Sequence, residues 1–237
     1  MKNINLDIRK AHLIDKKFYL DDKIYDTVIN NVFNNAWQFI SDVNYLKNYN
    51  VFPFVFLEDS INEPMLLINN ESVKCLSNIC THRAHGIVKK KCNKKLLQCP
   101  YHGRTFNLEG IFNQAPGFEN TPNFPLDDDN LKEYPIKKWH TFLFTSINPR
   151  LEIDNLLIDI DKQLPHYNFS YVEYDNDNSN TYILDAHWAL YCENYLEGFH
   201  VPFVHKGLAK DINYNTYETI LLENAVLQIA NASNPNK

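Results

Sequence analysis

Apolar side chains recur with near-helical spacing in residues 22–40 and then give way to short runs. The apolar positions in residues 22–40 are Ile24, Val28, Ile29, Val32, Phe33 and Trp37. This spacing predicts an amphipathic helix near the N-terminus. From about residue 36 to residue 148 the apolar runs are short or alternating and are separated by Gly, Pro and Asn–Asp clusters, which predicts a small antiparallel β domain. The main predicted strands of this domain are residues 51–57, 65–68, 73–79 and, last, 141–147.

The pattern changes again in the C-terminal part of the chain. Residues 151–164 have helical spacing, and the polar stretch 174–180 predicts a loop or linker before a second domain. In that domain we expect a helix over residues 188–204, with Pro202 close to its end, and at least one long strand within residues 216–230. The predicted division is an N-terminal helical segment (1–35), a β domain (36–148) and a C-terminal α+β part (149–237).

Composition restricts the class of protein. The chain has 237 residues, of which 44% are apolar, enough to bury one large core or two modest ones. A formal net charge of -6 gives no broad positive field, so nucleic acid is not an expected partner. No run of 18 apolar residues is present and the first residues are interspersed with charge, so we expect a soluble, cytoplasmic protein with no membrane partner. The five cysteines, an odd number, favour metal binding over disulfides in such a chain.

Two short motifs each combine one cysteine with one histidine. They are Cys80-Thr-His82 and Cys99-Pro-Tyr-His102, and 16 residues separate His82 from Cys99. Their four side chains can meet only if two loops approach each other at one end of a sheet. Because each loop supplies one thiolate and one imidazole, one iron of a diiron cluster can take both thiolates and the other iron both imidazoles.

The competing interpretation is a structural zinc ion held by the same side chains. The usual Cys2His2 zinc site keeps its cysteines together and its histidines together, whereas here they alternate. The pattern therefore favours the iron–sulfur cluster. A zinc module, by contrast, would be colourless and would have no reducible centre.

The stretch CTHRAHGIVKKKCNKKLLQCPYHGRTFNLEG resembles the Rieske domain of ring-hydroxylating and related non-heme iron oxygenases. The resemblance covers most of residues 20–150 and implies a small, all-β, antiparallel domain like that of Rieske iron–sulfur proteins. It also implies a 2Fe-2S cluster, with ligands at Cys80, His82, Cys99 and His102.

Two positions in this stretch distinguish one branch of Rieske proteins from another, and a third departs from the oxygenase pattern. Those of respiratory and photosynthetic complexes carry an extra cysteine in each ligand loop, where this chain has His85 and Tyr101. The chain thus resembles the oxygenase and ferredoxin branch. It departs from the oxygenases at Ala84, where they usually have glycine, so we expect a small alteration of the first loop.

A second motif lies in residues 193–205. If these residues belong to a helix, Asn194, Glu197 and His200 share one face. Pro202 is expected to end or bend that helix, so that His205 can turn back toward the same metal. Two imidazoles and one carboxylate leave open positions on Fe(II), as in oxygen-activating enzymes. The alternative is an amphipathic helix with two incidental histidines.

This segment resembles the E-N-x-x-[DE]-x-x-H-x4-H motif that follows the Rieske domain in the same oxygenases. By this resemblance His200 and His205 bind a mononuclear Fe(II), Glu197 bridges to the Rieske histidine of a neighbouring subunit, and Asn194 lies beside the ligands. Glutamate at position 197 is similar to the branch of choline and carnitine monooxygenases, which tend to be homotrimers. The resemblance implies an α+β fold, in which a partial helix-grip (SRPBCC-like) catalytic domain follows the Rieske domain.

The leading hypothesis is therefore a terminal oxygenase component. Electrons from NAD(P)H would pass through a reductase or ferredoxin to the 2Fe-2S cluster and then to the mononuclear iron, for O2-dependent mono- or dioxygenation of a small organic substrate. The family's third iron ligand, an aspartate, has no match, and the acidic side chains after His205 are expected at the surface: Asp211, Glu218 and Glu223. The chain is thus expected to be part of a longer oxygenase or a shortened relative. The alternative function is a non-catalytic Rieske electron-transfer protein.

Overall fold

The computed structural model describes residues 4–5 and 7–234, and the chain divides into two compact units. One unit contains the described residues of Met1–Tyr25, Ile153–Gln163 and Ser179–Lys237. The other unit contains Asp26–Glu152 and Leu164–Asn178. The predicted domain boundaries after residues 35 and 148 stay predictions.

The N-terminal helical prediction is right for its first part and wrong for its end. Helices α1 (Lys17–Leu20) and α2 (Asp22–Val28) are followed by a π-helical turn, Ile29–Phe33. Residues 38–40, which were expected to be helical, belong instead to strand β1 (Gln38–Asp42). The helical spacing does not decide the structure there, because β1 pairs antiparallel with a distant strand, the last one of the β domain.

The β domain contains a four-stranded antiparallel sheet. Its strands are β2 (Val51–Phe56), β3 (Glu63–Asn69), β4 (Val73–Ser77) and, at one edge, the short β8 (Glu133–Tyr134), in the order β2-β3-β4-β8. Met65 of β3 lies opposite Phe54 on one side and Ser77 on the other. The strands predicted at 51–57, 65–68 and 73–79 are confirmed within one or two residues at each end.

Two three-stranded antiparallel sheets complete this domain. In the first, β1 pairs with β10 (Phe142–Thr145), which pairs with β9 (Ile136–Trp139), so the last predicted strand is confirmed. The second consists of β5 (Leu97–Gln98), β6 (Thr105–Phe106) and β7 (Phe112–Gln114). Leu97 of β5 and Phe106 of β6 belong to the same apolar core as Cys80 and Cys99, so both ligand loops are anchored in this core.

The helix predicted over residues 151–164 is confirmed as α3 (Asp154–Gln163), and residues 174–180 contain no helix or strand. The single helix predicted over residues 188–204 is wrong. The chain forms α4 (Trp188–Leu196), a break, and then α5 (Val201–Val204). Pro202 occupies the first turn of α5, where backbone N–H groups have no partner within the helix. The missing N–H of proline costs nothing there, so Pro202 begins a helix rather than ending one.

The strand predicted within residues 216–230 is a hairpin of two short strands. After helix α6 (Leu208–Asp211), β11 (Glu218–Leu221) pairs antiparallel with β12 (Val226–Ile229). The turn falls at residues 222–225, where Glu223 and Asn224 interrupt the apolar run. No helix among the described residues is both long and apolar enough to cross a membrane.

Candidate metal centres

The two loops that carry the predicted cluster ligands have the same backbone geometry. In the first loop the Cys80 N–H donates to the His85 carbonyl and the Ala84 N–H to the Cys80 carbonyl, at 2.9 and 3.0 Å. In the second loop the Cys99 N–H donates to the Arg104 carbonyl and the Gly103 N–H to the Cys99 carbonyl, at 2.8 and 3.1 Å. Each loop thus folds back on its cysteine through the same pair of hydrogen bonds.

The fourth residue after each cysteine has a positive φ. The φ angle is 50° at Ala84 and 74° at Gly103. This left-handed conformation suits glycine, which has no Cβ to clash with the following carbonyl. The first loop therefore keeps the geometry of the second in spite of its alanine.

The loops bring the four predicted cluster ligands together in two pairs. Cys80 and Cys99 are 3% and 2% exposed and belong to the same buried core. The rings of His82 and His102 lie 4.8 Å apart between centroids. In the described part of the chain, no group of three or more His, Cys, Asp or Glu side chains is placed to hold a single metal ion. A diiron cluster, with sulfur on one metal and nitrogen on the other, fits this donor set.

The surroundings shift the pKa values of one cysteine and one histidine of this site. Burial raises the pKa of Cys80, and the hydrogen bond with Cys99 and its charge act in the same direction. Burial also lowers the pKa of His82, and the positive charges of His102 and Arg104 lower it further. These effects favour the neutral form of His82, which is the form that binds a metal.

Sequence reasoning missed three residues that join the two loops: Thr81, Arg104 and Asp129. Arg104 is 4% exposed and forms an ion pair of 2.9 Å with Asp129. Asp129 ends the acidic run 127–129, and its side chain is only 19% exposed. Sequence signals existed for Thr81, which lies inside the first motif, and for Arg104, two positions after His102. Nothing local indicates that Asp129 returns to this site.

The lysines between the ligand loops do not belong to the site. Lys89, Lys90, Lys91, Lys94 and Lys95 are all exposed. Lys91 lies over the rings of Tyr45 and Tyr49, at 5.4 Å from each centroid. The backbone of Cys92 pairs with Val51, at the start of β2. The first ligand loop follows the end of β4, which lies level with Phe54, near the other end of β2. These lysines therefore have the surroundings of a solvated segment.

The second predicted site lies at the break between α4 and α5. Glu197 follows the last residue of α4 with extended φ and ψ, and His200 precedes the first residue of α5. The expectation that Asn194, Glu197 and His200 share one helical face is therefore wrong, because only Asn194 lies within α4. The turn nevertheless brings the rings of His200 and His205 to 5.1 Å between centroids.

Glu197 is bound on two sides within this break. Its Oε1 is hydrogen-bonded to Nδ1 of His200, and its Oε2 accepts the Phe199 N–H at 2.6 Å. The hydrogen bond with His200 lowers the pKa of Glu197, and the backbone hydrogen bond from Phe199 acts in the same direction. Glu197 is thus an ionised carboxylate oriented beside an imidazole. How it and Asn194 act stays a prediction.

A cavity of about 980 Å³ adjoins the break. Asn194, Glu197, His200 and His205 line it, together with aromatic side chains that include Tyr191, Tyr195 and Tyr217. The hairpin holds one wall, because Gln228 donates to the Tyr195 carbonyl at 2.7 Å. Of the acidic residues after His205 in the described part of the chain, all are exposed and none lines this cavity: Asp211, Glu218 and Glu223.

Known proteins are similar to the β domain in sequence and to most of the chain in fold. Residues 36–125 match the family model of the Rieske [2Fe-2S] domain. The chain is 26% identical over 234 residues to choline monooxygenase, chloroplastic, from Arabidopsis thaliana, covering 94% of this chain and 55% of that protein. It is 24% identical over 237 residues to the carnitine monooxygenase oxygenase subunit of Escherichia coli (strain K12), covering 96% of this chain and 61% of that subunit.

Solved structures confirm the predicted α+β fold class. The crystal structure of the quaternary ammonium Rieske monooxygenase CntA with L-carnitine aligns with a TM-score of 0.75 at 18% identity, over 93% of this chain and 63% of that one. The naphthalene 1,2-dioxygenase F352V mutant bound to phenanthrene aligns with a TM-score of 0.62 at 16% identity, over 83% of this chain and 46% of that one. The chain therefore spans between about half and three-fifths of the length of these relatives.

Proposed function

We propose that this chain belongs to a terminal oxygenase, because residues 36–125 match the Rieske [2Fe-2S] domain and the chain is similar to choline and carnitine monooxygenases. It would take electrons from an NAD(P)H-dependent reductase or a ferredoxin and use O2 to hydroxylate a small organic substrate. The observation that carries the proposal is that one chain holds two separate donor sets. One has two thiols and two imidazoles, and the other has two imidazoles beside a carboxylate.

The paired geometry supports the proposed cluster ligands. Cys80 and Cys99 would hold one iron, and His82 and His102 would hold the other. Neutral nitrogen ligands on one iron make the cluster less negative and raise its reduction potential, so that when bound it supplies a one-electron carrier. The histidine pair is the more accessible of the two, since His102 is exposed and both thiols are buried. Electrons would therefore enter and leave on the histidine side.

His200 and His205 would hold a mononuclear Fe(II), which supplies the oxygen chemistry when bound. Their rings are close enough for one ion, and the break between the helices leaves them facing the cavity. Glu197 is already ionised and hydrogen-bonded to His200, so it can orient that imidazole and carry the contact toward a Rieske histidine of a neighbouring subunit. Such a contact between subunits requires a closed oligomer, for which we propose a homotrimer.

For the substrate we propose a small quaternary ammonium compound. The relatives include choline and carnitine monooxygenases, and the cavity beside His200 has tyrosine rings in its wall. Aromatic faces attract quaternary ammonium groups, which cannot donate a hydrogen bond. The carboxylate of Glu197 adds negative charge to the same wall.

A second candidate function is a Rieske protein that only carries electrons. The observation in its favour is that no described acidic side chain joins Glu197 in the cavity wall as a further carboxylate donor. Two irons per chain would support this electron carrier, and about three would support the oxygenase.

Iron analysis of three variants separates these functions. His82→Ala is expected to abolish the visible and low-temperature magnetic signature of the cluster, because it removes one of its four ligands. His200→Ala is expected to keep that signature and lose the additional iron. The control is His166→Ala, which removes an exposed histidine outside both sites and should change neither quantity. A cluster that survives His82→Ala would refute the ligand assignment, and a wild-type chain with only two irons would refute the oxygenase.

Glu197→Gln tests the proposed bridge. The amide keeps the size of the side chain and an acceptor for the Phe199 N–H but loses the negative charge. We expect both metals to remain bound, while oxygenation coupled to cluster oxidation slows by at least about tenfold, since a charge-assisted contact is lost. Single-turnover oxidation of the reduced cluster measures this rate. An unchanged rate would remove the bridging role.

A further inference from the structure

Arg104 is a buried cation at the junction of the two ligand loops. Its carbonyl closes the second loop by accepting the Cys99 N–H, and its guanidinium reaches the first loop, where Nη1 donates to the hydroxyl of Thr81 at 2.8 Å. Thr81 lies between the predicted ligands Cys80 and His82. One side chain thus connects both halves of the site.

Asp129 completes this connection from a third segment. Its Oδ1 accepts from Nη1 of Arg104 at 2.9 Å, and its carbonyl accepts from the Thr81 hydroxyl at 2.9 Å. Its Oδ2 is held by the Leu126 N–H at 2.8 Å. The rings of Phe112 and Phe124 lie 5.3 and 5.4 Å from the guanidinium and keep water from it.

Stability alone is a poor reason for this arrangement. A buried ion pair gains little over apolar side chains of the same size, because both charges lose their hydration. Moreover, Nε of Arg104 is buried without a hydrogen-bond partner among the described residues, which adds a further cost. The position of the charge suggests another role, because the guanidinium contacts Thr81 in the first ligand loop while the backbone of Arg104 closes the second.

We propose that Arg104 is a positioning residue that ties the two ligand loops together through Thr81 and Asp129, and that its buried positive charge raises the reduction potential of the cluster. Reduction adds one electron to the cluster and makes it one unit more negative. A nearby cation therefore stabilises the reduced form, and in a buried site salt screens it weakly. The inference rests on the proposed cluster ligands but not on oxygenase activity.

The test is the midpoint potential of the cluster in the full chain, measured by titration with dithionite and followed by its visible spectrum. Arg104→Gln should lower the potential, because the cation is lost. Arg104→Lys keeps the charge and should retain a potential close to that of the wild type. The matched control is Arg83→Gln, which removes an exposed arginine next to His82 and should shift the potential less, since solvent screens that charge.

A second variant keeps the test decisive if Arg104→Gln does not assemble the cluster. Asp129→Asn keeps the size of the side chain and an acceptor for Arg104 but leaves the cation without a counter-charge, so it should raise the potential. An unshifted potential in Asp129→Asn, or equal shifts in Arg104→Gln and Arg83→Gln, would overturn the role of Arg104. Absence of the cluster's spectrum in the wild-type chain would instead refute the ligand proposal itself.

Discussion

Ala84 shows how a single backbone angle sets the shape of a ligand loop. It occupies the position that Gly103 has in the second loop, and its φ of 50° lies in the left-handed region, where a Cβ is unfavourable. An alanine in this conformation costs about 1 kcal/mol relative to glycine, even after the greater freedom of glycine in the unfolded chain is counted. We therefore expect Ala84→Gly to raise the free energy of unfolding by about 1 kcal/mol, measured by urea denaturation.

Gly86 provides the matched control for this prediction, because it lies in the same loop without a positive φ. A Cβ added at Gly86 meets no heavy atom within 4 Å, so Gly86→Ala should be tolerated or slightly stabilising. We thus expect that neither Ala84→Gly nor Gly86→Ala, two positions apart, lowers the free energy of unfolding. If Ala84→Gly destabilised the chain, Ala84 would not be strained.

At the scale of elements, sequence patterns succeeded where local and tertiary preferences agree. Strands β2 to β4 and helix α3 have strong local patterns and were predicted close to their bounds. The pattern failed where distant parts of the chain decide the structure. Residues 38–40 form a strand only because β10 pairs with them, and the hairpin of β11 and β12 was taken for one strand because its turn lacks glycine.

The metal sites divide in the same way. The motif spacing identified the side chains that the two loops bring together, since each loop is local and its ligands are close in sequence. It could not place Asp129 next to Arg104, because their contact joins segments that are distant along the chain. It also gave the wrong geometry for Glu197 and His200, because Pro202 reads equally as the end of one helix or as the start of the next.

The break between α4 and α5 depends on Gly198. A Cβ at this position would overlap the ring of Tyr217, which lies just before β11. Gly198→Ala is therefore expected to displace either the hairpin or the break, and with it the geometry of Glu197 and His200. We expect loss of the mononuclear iron while the cluster signature remains, measured by iron content and the visible spectrum together.

The double variant Gly198→Ala with Tyr217→Ala provides the rescue. Removing the ring creates room for the added methyl group, so iron binding should recover at least in part. A double variant as deficient as Gly198→Ala alone would show that the methyl group acts by another route than the tyrosine ring.

At the scale of the whole molecule, the two candidate donor sets lie in different compact units. The predicted cluster ligands lie in the unit that contains Asp26–Glu152, and the second donor set lies in the unit that contains Ser179–Lys237. Their environments also differ. The thiols of the first site are buried, whereas many large apolar side chains around the second are exposed, such as Phe199 and Phe203, each at 80%. A disturbance of one unit can therefore be followed separately from the other.

The core of the β domain makes stability depend on alkaline pH. Tyr134 is 2% exposed, and burial raises its pKa, as does the 2.6 Å hydrogen bond that its hydroxyl donates to Glu63. Burial likewise raises the pKa of Cys75, to about 12. The unfolded chain releases these protons near pH 8.5 for the thiol and near pH 10 for the phenol, at roughly their ordinary pKa values, while the folded chain keeps them. Their stabilising contribution is complete below those values and is lost as pH rises through the folded pKa values.

We therefore expect the free energy of unfolding to decline above about pH 9 and more steeply above about pH 10. In Tyr134→Phe the steeper part should flatten, because the ring remains but no phenol ionises, at a loss of about 1 kcal/mol near neutral pH for the missing hydrogen bond. Urea denaturation from pH 7 to 11 or so measures both effects, and Tyr171→Phe, at a tyrosine that is 82% exposed, is the control that should leave the pH dependence unchanged. An identical alkaline decline in Tyr134→Phe and the wild type would mean that Tyr134 ionises no later in the folded chain than in the unfolded one.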